Sequence, residues 1–76
     1  MGLKITEYCI LDEIYKTSRL NLKKINKQEI ADYLDLTKSK VEYTIIKLIK
    51  LGYLQKNRYN RNITITDLTY EFLKLF

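Results

Sequence analysis

Lys38, Lys40, Lys47, Lys50, Lys56, Arg58 and Arg61 all fall between positions 37 and 62, where Glu42 is the single acid. That segment carries a net +6, whereas residues 1–36 hold six bases and six acids and residues 63–76 sum to −1. The excess behind the chain's +5 is therefore confined to one contiguous third. Clustered ammonium and guanidinium groups attract a polyanion and release its counterions, the plain alternative being a solvated Lys-rich face. Hydroxyls at Thr37 and Ser39 open the segment, and Asn60 lies between its two arginines.

Other chemistries are poorly supplied. The chain has no His, so it lacks the commonest general base and metal ligand. Its two glycines cannot form a Gly-rich phosphate loop. Cys9 stands alone, which excludes an internal disulfide and makes a metal centre unexpected. It reads as a small packing residue, with redox sensing the lesser option. We expect no catalysis, no cofactor and no metal.

Elements able to present such a cluster can be read along the 76 residues, enough for one domain spanning 1–76. With 46% apolar and 30% charged residues the composition is globular rather than disordered. No apolar run approaches the roughly 20 residues needed to span a bilayer. The N-terminus lacks a signal peptide's apolar region, so a cytoplasmic location is expected.

Tyr8, Leu11, Ile14 and Tyr15 recur at helical spacing over about 5–16, with Thr6 a plausible N-cap. Residues 17–24 lose that pattern. Asn26-Lys27-Gln28-Glu29 reads as a capping box before a short helix that buries Ile30, Ala31 and Leu34. Thr37 caps a longer helix from Lys38 to about Leu51. Val41, Thr44, Ile45 and Leu48 lie on one side of it; Ser39, Lys40, Tyr43, Lys47 and Lys50 lie on the other. Gly52 suits a left-handed C-cap. Two extended stretches follow, over 53–59 and over Ile63-Thr64-Ile65-Thr66, joined by a polar turn and with Ile63 and Ile65 facing inward. A last helix from Asp67, capped by Thr66 or Asp67, has Leu68, Phe72 and Leu75 as its inner stripe, widened by Leu73 and Phe76.

The predicted fold class is α+β, mainly α: three helices, a β-hairpin and a C-terminal helix. Two short-linked helices, the second longer and basic, describe a helix-turn-helix, and a basic hairpin directly after it makes the winged variant. Ile25–Leu34, Leu36-Thr37-Lys38-Ser39-Lys40-Val41, Leu48–Leu54 and Ile63–Asp67 with Phe72-Leu73 carry a likeness over nearly the whole chain. In these residues it resembles the winged helix-turn-helix superfamily, most closely its MarR-, ArsR- and PadR-like branches. In size it is similar to small regulators of viruses, plasmids and mobile elements.

That resemblance implies a double-stranded DNA-binding regulator whose third helix enters the major groove, with the wing on backbone or minor groove. Carried over by position, Thr37, Lys38, Ser39, Lys40, Tyr43 and Lys47 would face the major groove. Lys56, Arg58 and Arg61 would lie on the wing, with Asn60 at its tip. Tyr43 offers a ring to a thymine methyl or a hydroxyl to a phosphate. Ile46, also outside the core arc, could meet a methyl, the first helix or a partner. Glu42 is expected to pair with Lys38 or Lys50. Tyr8, Tyr15, Tyr33, Tyr53 and Tyr70 read as core or subunit-contact residues.

Apolar residues left over on the terminal helices, Ile5, Cys9, Ile10, Leu73 and Phe76, predict a two-fold homodimer that spaces two recognition helices about one DNA turn apart. No small-molecule effector is evident. Alternative roles are a DNA-binding component of a replication or partition system, which would use the same contacts, and a winged helix that binds protein. The concentration of bases in 37–62 disfavours the latter.

Overall fold

In a computed structural model, residues 3–20 and 24–73 are described. The order is α1 (Ile5–Tyr15), a π-helical turn (Lys16–Leu20), α2 (Lys27–Leu34), α3 (Lys38–Lys50), β1 (Leu54–Lys56), β2 (Ile63–Ile65) and α4 (Asp67–Leu73). This is the predicted mainly helical α+β class, with one antiparallel two-stranded hairpin.

The helix starts follow from local hydrogen bonding. Asn26 Oδ1 accepts from the backbone N–H of Gln28 at 2.9 Å and of Glu29 at 3.2 Å, satisfying two donors that the first turn of α2 leaves open. The reciprocal bond expected of Glu29 is not made; Gln28 donates instead to Asp32 at 2.9 Å. Thr37 Oγ1 accepts from Lys40 N at 3.1 Å and starts α3. Between these helices Asp35 takes a left-handed conformation, φ 57° and ψ 47°, which a short polar side chain tolerates. Gly52, φ 88°, turns the chain out of α3 as its sequence position predicts.

The core forms where α1, α3 and the hairpin meet. Leu11 and Ile14 of α1, Val41, Ile45 and Leu48 of α3, and Leu54, Ile63 and Ile65 of the hairpin are all buried. The register pairs Leu54 with Ile65, Gln55 with Thr64 and Lys56 with Ile63. Residues two apart share a face, so Leu54 lies inward while Lys56, on the same face, emerges past the edge of the core.

Several expectations are corrected. The N-cap of α1 is Lys4, not Thr6; its N–H donates to Glu7 Oε1 at 3.0 Å. Helical structure continues past Lys16 as the π-turn, stabilised where Ser18 Oγ donates to the Ile14 carbonyl at 2.6 Å. The first strand is three residues long rather than seven, because Asn57 begins a loop held by its own side chain.

The inner stripe of α4 is displaced by one position. Leu68 is 62% exposed, whereas Thr69 and Leu73 are buried. The Thr69 hydroxyl donates to the Tyr53 carbonyl at 2.7 Å and the Thr66 hydroxyl to the Gly52 carbonyl at 2.8 Å, which turns this side of α4 inward. Leu75 and Phe76 lie outside the described residues.

Among the residues expected at a dimer surface, Ile10 and Leu73 belong to the protomer's own interior, so neither has apolar surface to offer a partner. Ile5 is 84% exposed and Cys9 is half-buried; both line a small cleft with Thr6, Leu34 and Leu36. Of the tyrosines, Tyr8 meets Phe72 edge-on at 6.2 Å and Tyr15 lies 6.2 Å from Tyr70, while Tyr33 is exposed.

Candidate nucleic-acid interface

Three elements bring cations to one side. The caps at Asn26 and Thr37 set the N-termini of α2 and α3, and the hairpin register brings Lys56 out beside them. Between these ends and the loop after β1 runs an open cleft of about 360 Å³. Its rim carries Lys24 from the segment leading into α2, Lys27 from the first turn of α2, Lys38 from α3, and Lys56 and Arg61 from the hairpin, with Glu42 as its one acid. Glu42 forms no ion pair with Lys38 or Lys50, contrary to expectation. Five cations against one carboxylate make this cleft strongly electropositive. Converging positive groups with two helix N-termini suit a phosphate.

The orientation of α3 follows from its buried positions. At roughly 100° per residue, Val41, Thr44, Ile45 and Leu48 centre the inward direction. Ser39, Tyr43, Ile46 and Lys50 then form the line directly opposite the core, all of them exposed. Lys38 and Glu42 lie on the hairpin flank of that line, and Lys40 and Lys47 on the α1 flank. Thr37, Lys38, Ser39, Lys40 and Tyr43 are all exposed as expected. The Lys40 ammonium stands 5.9 Å from the centre of the Tyr43 ring, within cation–π range. Thr37 keeps its hydroxyl proton free to donate outward while its oxygen caps the helix.

Lys47 is differently employed. Its Nζ meets Glu7 Oε2 at 2.6 Å, tying α3 to the first turn of α1. The Lys47 ammonium and the Lys4 N–H hold the Glu7 carboxyl below the usual carboxylate range, and Glu7 in turn raises Lys47. Glu7 is buried, so its charge is matched by Lys47 rather than by water. Of the cations expected to face a groove, Lys47 is thus the one already paired within the protein.

The hairpin tip is ordered by asparagines. Asn57 Oδ1 accepts from Tyr59 N at 2.8 Å and Asn60 N at 3.1 Å; Asn60 Oδ1 accepts from Asn62 N at 2.8 Å. Arg61 sits at φ 59°, with its N–H donating to the Asn57 carbonyl at 2.9 Å. Lys56, Arg58, Asn60 and Arg61 are exposed around this tip. Asn60 therefore contributes through its backbone support of the turn, which its side-chain oxygen already serves.

Lys24 and Lys27, with Asn26 and Gln28 beside them, were missed by the charge argument because acids elsewhere in residues 1–36 balance them in sequence. The available signal was the Asn26 cap, which marks Lys27 as lying in the first turn of a helix. No helix among the described residues is long and apolar enough to cross a membrane.

Solved structures of similar shape come from transcriptional regulators. A MarR/EmrR family transcriptional regulator from Acinetobacter is 24% identical with a TM-score of 0.76, covering 99% of this chain and 53% of its own. The multiple antibiotic-resistance repressor of Listeria monocytogenes is 22% identical with a TM-score of 0.77, covering 96% and 49%. A MarR protein from Peptoclostridium difficile is 27% identical with a TM-score of 0.69, covering 96% and 48%. The chain thus spans about half the length of these proteins. None of the curated proteins matches the sequence significantly. Residues 3–71 match the family described as a winged helix DNA-binding domain, and the chain belongs to that family.

Proposed function

We propose that this domain binds double-stranded DNA sequence-specifically as a homodimeric regulator of transcription. In this reading α3 enters the major groove and the hairpin tip lies on the minor groove or the backbone. The observation that carries it is the convergence of Lys24, Lys27, Lys38, Lys56 and Arg61 on one cleft beside the exposed line of α3. A phosphate seated there is neutralised from three elements at once. That seat fixes register, and Ser39 and Tyr43 then meet base edges. Arg58 and Arg61 suit the negative potential of a narrow minor groove. Ile5 and Cys9, with Leu34 and Leu36 beside them, are the apolar surface of α1 left for a second copy. The reading requires no cofactor and no catalysis, and it locates the protein with the DNA of the cytoplasm or nucleoid.

The test is fluorescence anisotropy with duplexes from the region upstream of the gene and with random duplex, at two salt concentrations. Tight, salt-sensitive binding that prefers the upstream duplex and is lost in Lys38→Ala/Lys56→Ala supports the reading. No binding to any duplex at low salt refutes it. Equal affinity for all duplexes leaves DNA binding intact and refutes the sequence-specific role.

A further inference from the structure

The middle of the outward line of α3, between Ser39 and Lys50, presents the Tyr43 ring and Ile46 where a groove-reading helix would be expected to carry amide or guanidinium side chains. Between Lys38 and Lys50 there is no Arg, Asn or Gln, so α3 lacks the forked side chains that read guanine and adenine edges most selectively, and its lysines, which can reach guanine O6 and N7, do so less selectively. Tyr43 and Ile46 are instead 65% and 55% exposed, one helical turn apart, opposite the core. With Lys47 and Lys50 they wall a shallow depression of about 230 Å³. Lys47 does not compete for a ligand there, since Glu7 at 2.6 Å already holds its ammonium. The Tyr43 ring is steadied from the other side by Lys40 at 5.9 Å.

We infer that Tyr43 and Ile46 form an apolar reading surface for thymine C5-methyl groups, and that these two residues set the sequence preference of the domain. The inference rests on the reading above that α3 lies in the major groove. The methyl of thymine is the apolar mark which that groove displays, and removing it from water against Ile46 and the Tyr43 ring is favourable. The two side chains stand roughly 4.5 Å apart along the helix axis, against a base-pair rise of roughly 3.4 Å. They therefore address neighbouring base steps, and the preferred sequence holds thymines at adjacent or nearly adjacent positions. The cations flanking the line, Lys40 on one side and Lys38 on the other, hold the backbone without distinguishing bases.

The experiment first selects bound duplexes from a pool with a randomised core, using the full 76-residue chain, and then replaces each thymine of the selected sequence singly by deoxyuridine. This removes one methyl and leaves every hydrogen-bonding group in place. We expect one or two positions where the replacement weakens binding about fourfold, the equivalent of one buried methyl group. In Ile46→Ala or Tyr43→Ala, the thymine and uracil duplexes should bind equally at the corresponding position, while the dependence on salt is unchanged. Both residues are exposed, so neither variant disturbs the core. Retained selection with no thymine-to-uracil difference at any position overturns this inference and leaves DNA binding standing. So does a difference that survives in both variants. Failure to select any duplex overturns the underlying reading and this one with it.

Discussion

Lys38, Lys40 and Lys47 stand on the same helix, yet Lys47, paired with Glu7, is expected to differ from the other two in its contribution to the salt dependence of DNA binding. Eight cations are directed to the proposed DNA side without a carboxylate partner among the described residues: Lys24, Lys27, Lys38, Lys40, Lys50, Lys56, Arg58 and Arg61. Each phosphate neutralised contributes about −0.9 to the slope of log K against log salt. If all eight engage, each doubling of salt weakens binding roughly 150-fold per protomer. Replacing Lys38, Lys56 and Arg61 by Ala empties most of the cleft rim and leaves five contacts, for which the same doubling costs roughly twenty-fold. Lys47→Ala, by contrast, removes a cation that Glu7 already holds, and its slope should match that of the unmodified protein. Anisotropy titrations at four salt concentrations measure these slopes directly. A fall in slope for Lys47→Ala as large as that for Lys38→Ala would refute the argument, since it would mean that the ion pair opens on binding and that burial of Glu7 does not hold it.

Three further outcomes are expected. The Glu7–Lys47 pair makes stability fall in acid: because the Glu7 carboxyl lies below its ordinary range in the folded protein, its contribution is complete above that range and is lost as pH falls through the lowered value. Thermal melts should therefore show a smaller acid-induced drop for Glu7→Gln than for the unmodified protein, and equal drops would contradict this. Asn26→Ala removes two capping bonds and should lower stability by about 1 kcal/mol in urea titrations; it should also weaken DNA binding by loosening the lysines at the start of α2. Ile10→Ala should destabilise the fold by roughly 2–5 kcal/mol, being fully buried, whereas Ile5→Ala should leave the unfolding midpoint of the protomer unchanged and weaken self-association in sedimentation.

What could be read from sequence was whatever local rules determine. The caps at Asn26 and Thr37, the turn at Gly52 and the inward pair Ile63 and Ile65 each depend on neighbours a few positions away, and each was legible. Lys47 was not, because its partner is 40 positions distant and periodicity only places it on the polar side of α3. The face of α4 was misread for a related reason: hydropathy turns Leu68 inward, but Thr66 and Thr69 satisfy carbonyls of Gly52 and Tyr53, and the helix rotates to meet those bonds. The same held for Ile10, whose position beside an apparent stripe suggested a surface that packing against α3 and the hairpin removes. Lys24 and Lys27 were hidden by regional averaging, since charge balance along a chain says little about balance on a surface.

The asparagine network at the hairpin tip bears on when its order is acquired. Two side-chain amides satisfy three backbone donors, and Arg61 is held in a left-handed conformation that a free chain seldom visits. A loop locked in this way has given up its conformational entropy during folding rather than at the moment of contact. Arg58 and Arg61 consequently leave a backbone that is already fixed, and only their side-chain rotamers remain to be ordered when a ligand arrives. The thermodynamic signature is a wing whose engagement adds little unfavourable entropy, so that loosening the tip through Asn57→Ala should slow productive docking and raise the entropic cost of binding without removing a single charge.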